Sequence, residues 1–135
     1  MKALLDTNVV MDALQERQPF DGEAKEILLR AQSGEIKVYF TANAITDIFY
    51  LYSKARDLLS ARSALNFLLN NYNVISVTHE DCVAALSLPI KDFEDALVVA
   101  CAEKASVDYI VTRDEKFLRD KSKVMIVSPI KLLQE

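Results

Sequence analysis

Along the chain, short apolar runs alternate with stripes of apolar residues at helical spacing. Residues 2–5 (Lys-Ala-Leu-Leu) read as a short buried strand, and Val9 to Leu14 as a helix opened by Asp6-Thr7-Asn8, any of which can cap it. Pro19-Phe20-Asp21-Gly22 interrupts the pattern. From Glu23 onward, Ala24, Ile27, Leu28 and Ala31 recur at helical spacing until Ser33-Gly34 stops them. Val38-Tyr39-Phe40 is a second strand. Ala42 to Ala55 then carries Ile45, Ile48, Phe49 and Tyr52 on one helix face, and Leu58 to Tyr72 carries Leu58, Ala61, Leu65 and Leu68 in register. Four more elements follow: a strand over Val74 to Val77, a helix over His79 to Leu88 ending before Pro89, a long helix over Asp92 to Ala105, and a strand over Asp108 to Thr112. A strand over Val124 to Val127 and a short helix begun by Ser128-Pro129 close the pattern.

Strands separated by helices imply right-handed crossovers and a parallel sheet covered on both faces. The predicted fold is therefore a three-layer α/β/α sandwich around a central parallel sheet. Its 135 residues, 51% of them hydrophobic, fit one domain with a sizeable core over 1–135. With two glycines and three prolines, no stretch reads as a flexible linker, and no internal repeat is visible. Cys82 and Cys101 lie in different predicted helices without zinc-site spacing, and are expected to be reduced core thiols. The first residues reach a carboxylate too soon for a signal peptide, and no apolar stretch approaches membrane-spanning length; the expectation is a cytoplasmic protein with no membrane partner.

Net charge is −4, which opposes sequence-independent binding to phosphate backbones. It does not exclude a nuclease whose carboxylates carry divalent cations, because bound metal reverses the local sign. Arg113, Lys116, Arg119, Lys121 and Lys123 form a basic cluster that reads equally well as a solvated face.

Four aspartates carry the candidate chemistry. Asp6 closes the first strand, Asp114 follows Tyr109-Ile110-Val111-Thr112, Asp95 opens the apolar run Ala96 to Ala102, and Asp47 interrupts a helix rich in Ile, Phe and Tyr. Ligands of open parallel sheets bind beyond the carboxyl ends of the strands, where Asp6 and Asp114 are placed. Asp92 lies three residues before Asp95 on the same helical face, and is a further candidate. Each acid also has a plain structural explanation: Asp6 as a helix cap, Asp95 in an acid-rich first turn, Asp114 in a turn and Asp47 on a solvent-facing stripe with Asn43, Tyr50 and Lys54. Converging carboxylates, however, repel and raise one another's pKa, and a cation relieves that repulsion. An all-oxygen donor set selects Mg²⁺ or Mn²⁺, whereas zinc would want His or Cys. His79, the single histidine, reads as the start of a helix rather than a base, so hydrolysis would fall to metal-activated water, with a second cation stabilising the leaving oxygen of a phosphodiester.

With these residues identified, the chain resembles PIN-domain nucleases nearly end to end. The resemblance rests on Leu4-Leu5-Asp6-Thr7-Asn8-Val9-Val10-Met11-Asp12, Thr41-Ala42-Asn43-Ala44-Ile45-Thr46-Asp47-Ile48, Lys91-Asp92-Phe93-Glu94-Asp95-Ala96-Leu97 and Ile110-Val111-Thr112-Arg113-Asp114, in this order and spacing. It implies a Mg²⁺- or Mn²⁺-dependent ribonuclease in which Asp6, Asp95 and Asp114 bind metal and polarise the attacking water, with Asn8 and Thr112 supporting them. Compact members of the family are typically toxins of VapC-like toxin-antitoxin pairs, homodimeric and held inactive by an antitoxin peptide across the acidic groove. The family usually has glutamate on the second-motif helix, where this chain has Asp47, one methylene shorter. Either Asp47 acts through water or Asp92 supplies the missing charge.

Two rival readings stand beside this one. An aspartate-based phosphotransfer module is disfavoured, because a receiver wants an acid after its third strand, where Val74 to Val77 leads into Thr78-His79, and a haloacid-dehalogenase-like phosphatase wants an aspartate where Asn8 stands. A non-catalytic relative that binds RNA or protein through the same groove is compatible with the sequence.

Overall fold

The computed structural model describes residues 1–135. Its elements run β1 (Lys2–Leu5), α1 (Thr7–Leu14), α2 (Asp21–Gln32), β2 (Lys37–Thr41), α3 (Ala42–Ala55), α4 (Leu58–Asn71) and β3 (Asn73–Ile75). They continue as α5 (His79–Leu86), α6 (Phe93–Ala105), β4 (Tyr109–Val111), α7 (Glu115–Leu118), β5 (Met125–Val127) and α8 (Pro129–Leu133). The five strands pair in parallel in the order β3-β2-β1-β4-β5, so β1 is the central strand. No helix is long and apolar enough to cross a membrane.

Both faces of the sheet are covered, and the period-2 alternation of strand side chains shows how. Ala3 and Leu5 point into a core shared with Val9, Val10, Ile27, Ile48 and Leu68 from the α1 to α4 side. Leu4, between them, points into a second core with Val99, Cys101 and Ala102 of α6 and Ala85 of α5. β4 repeats the division, with Val111 on the first side and Ile110 on the second. The result is the three-layer α/β/α sandwich expected from the alternation of strands and helices.

The structure differs from the sequence pattern mainly at element ends. β3 stops at Ile75 rather than Val77, because its partner β2 gives way to α3 after the Thr41↔Ile75 pair and leaves nothing to extend the ladder. β4 stops at Val111, although the Thr112 N–H still donates to Val127 O at 3.0 Å. α2 begins at Asp21, two residues before the expected start at Glu23, and Asp21 and Glu23 complement the dipole of its first turn. α7 has no counterpart in the pattern, since a four-residue helix is too short to show periodicity.

Phe40 is fully buried in β2, and Leu59, on α4, is 80% exposed. Phe40→Ala is expected to lower unfolding free energy by about 3–5 kcal/mol, and Leu59→Ala to change it by less than about 0.5 kcal/mol, measured by urea denaturation.

Candidate active site

From β1 the chain winds outward through β2 to β3, then crosses to the other side of β1 to lay down β4 and β5. The crossovers therefore diverge between β1 and β4. In such sheets the divergence opens a crevice at the carboxyl ends of the strands.

Asp6 enters this crevice directly from β1. Its backbone N–H donates to Val111 O at 2.9 Å, which ties it to the end of β4, and its extended backbone makes it the N-cap of α1. Oδ1 accepts the Thr7 N–H at 2.9 Å. Oδ2 accepts the Thr112 hydroxyl at 2.8 Å and the Asn8 amide at 3.2 Å. Thr112, fully buried, fills its hydrogen-bonding capacity: its Oγ1 also accepts Asn8 Nδ2 at 3.3 Å and the Asp114 N–H at 3.1 Å. One hydroxyl thus joins Asp6, Asn8 and the turn that carries Asp114.

The other acids arrive on helix starts. Asp114 caps α7 by accepting the Lys116 N–H at 2.9 Å. Asp92 caps α6 by accepting the Asp95 N–H at 3.1 Å, which places Asp95 in the first helical turn. Asp47, half-buried in the middle of α3, lies close enough to the start of α6 for its charge to raise the Glu94 carboxyl.

The electrostatics shows which carboxylates the fold brings together. Burial and then the negative charges of Asp92, Asp6, Asp114 and Asp120 lift Asp95 to about 7. Burial raises Asp6 as well, with Asp114 and Asp92 adding to the rise and the Thr112 and Thr7 hydrogen bonds opposing it. Burial, Asp47, Asp6 and Asp92 raise Glu94. Asp6, Asp92, Asp95 and Asp114 therefore lie in one electrostatic neighbourhood, while Asp47 is linked to it only through Glu94. Glu94 belongs to it too and was not singled out, although its place between Asp92 and Asp95 was the available signal.

This donor set is built from hard oxygens. Cys101 is buried, Cys82 is half-buried on another helix, and His79 lies exposed at the start of α5. In the conformation described, no three His, Cys, Asp or Glu side chains are grouped closely enough to hold a metal ion together. By donor chemistry alone, carboxylates suit hard cations that bind through one or two of them and keep several waters, whereas zinc prefers His or Cys.

Arg113 departs from the basic face expected of it. Its guanidinium folds back onto α1, donating from Nε to Asp12 Oδ2 at 2.6 Å and from Nη2 to Asp12 Oδ1 at 3.0 Å. Asp12, 1% exposed among Val9, Val10, Met11 and Ala13, was a signal in its own right, because a carboxylate in that setting requires a partner.

The PIN-domain family profile matches residues 2–116. The chain belongs to the PIN-domain family. Three solved structures share the fold at low sequence identity. VapBC2 from Rickettsia felis, bound to a DNA fragment from its promoter, superposes with a TM-score of 0.72 at 18% identity, covering 95% of this chain and 98% of that one. VapC20 from Mycobacterium tuberculosis, described as a sarcin-ricin loop cleaving toxin, gives 0.70 at 17% identity, covering 85% and 92%. A toxin-antitoxin complex from Klebsiella pneumoniae gives 0.70 at 21% identity, covering 94% and 97%. No curated protein sequence matches the chain.

The Asp95 shift carries a pH signature in this PIN domain. A folded-state value near 7 against an ordinary 3.8 means that the folded protein binds this proton more tightly than the unfolded chain. The resulting stability is fully present below about pH 4 and is lost as pH rises through about 7. In metal-free protein, Asp95→Asn is neutral at every pH, so its stability relative to wild type should rise between about pH 4 and pH 8. Urea midpoints measure this, and a difference independent of pH would show that Asp95 is not the titrating group.

Proposed function

We propose that the chain is a Mg²⁺- or Mn²⁺-dependent endoribonuclease that hydrolyses RNA phosphodiesters as the toxin of a toxin-antitoxin pair. One observation carries the reading: in a PIN fold, at the sheet's divergence point, burial and the negative charges of the exposed Asp92 and Asp114 push the Asp6 and Asp95 carboxyls upward. The Rickettsia felis and Klebsiella pneumoniae neighbours support a partner antitoxin, and the Mycobacterium tuberculosis neighbour supports RNA as substrate. A homodimeric, cytoplasmic protein goes with this reading.

In the proposed mechanism, Asp6, Asp95 and Asp114 hold the cation, with Asp47 and Asp92 adding negative charge around it. When bound, the ion supplies an activated water nucleophile and charge stabilisation at the phosphate. Asn8 and Thr112 fix the Asp6 carboxylate by holding Oδ2 with two donors, so the ligand does not reorient as charge develops. Thr112 also holds the Asp114 backbone, which sets the distance between two of the ligands. Asp47 is shorter than the family's usual glutamate, and Glu94, whose carboxyl responds to it, brings a further carboxylate to that side of the pocket.

RNA cleavage should require Mg²⁺ or Mn²⁺ and fall on the order of 10²-fold or more in Asp6→Asn or Asp95→Asn with folding intact. A cation at 100 times its Kd should also stabilise the native state by about 2.7 kcal/mol, visible as a rise in melting temperature. Metal-dependent stabilisation without cleavage of any RNA would favour a non-catalytic binding module. Cleavage unchanged in Asp6→Asn would point to a contaminating nuclease.

A further inference from the structure

Asp12 and Arg113 make a forked ion pair between residues 101 positions apart, in which both carboxylate oxygens meet guanidinium nitrogens at 2.6 and 3.0 Å. Such two-point pairing fixes orientation as well as distance. The guanidinium carbon also lies 4.1 Å from the centroid of the Phe20 ring, and the Arg113 backbone N–H donates to Asn8 Oδ1 at 3.4 Å. Arg113 is therefore anchored to the segment from Asn8 to Phe20 by charge, by stacking and by its main chain.

Its sequence neighbours are the residues that the proposed site needs. Thr112 donates to Asp6 and accepts from the Asp114 amide, while Asp114 supplies a carboxylate to the same pocket. The last strand-like bond is from the Thr112 N–H to Val127 O, so strand pairing no longer determines the path of 113–114. The side chain of Arg113 takes over that role. Because Asp12 neutralises it, this cation is not free to enter the acidic pocket.

We propose that Arg113 is a positioning residue: the clamp formed by Asp12, Arg113 and Phe20 fixes the Thr112–Asp114 turn against α1, so that Asp6 and Asp114 serve one cation. This rests on the metal-dependent reading above. A pair that served stability alone would lower the melting temperature when broken and leave the cation affinity of the folded protein unchanged.

Calorimetric titration of the 135-residue chain with Mn²⁺ alone separates the two roles, with metal-free melting temperature recorded in parallel. Arg113→Ala should weaken Mn²⁺ binding about tenfold, and Arg113→Lys, which keeps the charge but loses the fork, should fall between it and wild type. Phe20 is 43% exposed, so Phe20→Leu removes the stacking with little disturbance of the core and should weaken Mn²⁺ about threefold. If Arg113→Ala does not fold, the Phe20→Leu measurement decides. Folded variants with wild-type Mn²⁺ affinity would overturn the clamp alone. A wild type that takes up no Mn²⁺ would overturn the metal-dependent reading and the clamp's role together.

Discussion

Repulsion among carboxylates at the end of a buried sheet is the constraint on which this structure turns. The sheet is covered on both faces, so its carboxyl edge is one of the few places where charge can be gathered without being sealed into the core. Even there, burial and neighbouring charge push Asp6 and Asp95 above the ordinary range. The fold tolerates this arrangement because the same acids do structural work. Asp6, Asp92 and Asp114 each cap a helix, so the positive ends of α1, α6 and α7 point toward the cluster and offset part of its self-repulsion.

Capping and the proposed cation binding are therefore not competing accounts of these residues. A cap commits one carboxylate oxygen to backbone N–H groups and fixes the side chain's direction. The other oxygen of Asp114 and of Asp92 makes no hydrogen bond within the chain. Asp47 stands apart, since it lies in mid-helix and faces the start of α6 without any capping benefit.

Much of the architecture was legible because apolar periodicity follows directly from which faces are buried. α3, read as Ala42 to Ala55, has those bounds in the structure, and the strand cores Leu4-Leu5, Val38-Tyr39-Phe40 and Ile110-Val111 all lie in the sheet. Element ends were less legible, because they depend on partners: β3 ends where β2 does, and α7 is too short for a pattern. At the site, the positions of Asp6 after β1, Asp114 after β4 and Asp95 in the first turn of α6 could be read from the apolar runs beside them. Arg113 could not, since its direction is set by Asp12, 101 residues earlier, and nothing local distinguishes it from Lys116 or Arg119. Glu94 was passed over for a related reason, as its significance depends on Asp47 across the gap between α3 and α6.

The bond from Thr112 to Asp6 spans 106 positions of the chain. Residues 1 to 105 contain Asp6, Asp47, Asp92 and Asp95, yet lack the hydroxyl that orients the first of them and the strand that walls the crevice. A nascent polypeptide still emerging from the ribosome, or one clipped before β4, would hold most of the acidic groups and their helix caps, but not the bond that ties Asp6 to the Asp114 turn. Pairing of β4 with β1 is therefore also the step that brings Thr112 and Asp114 to Asp6.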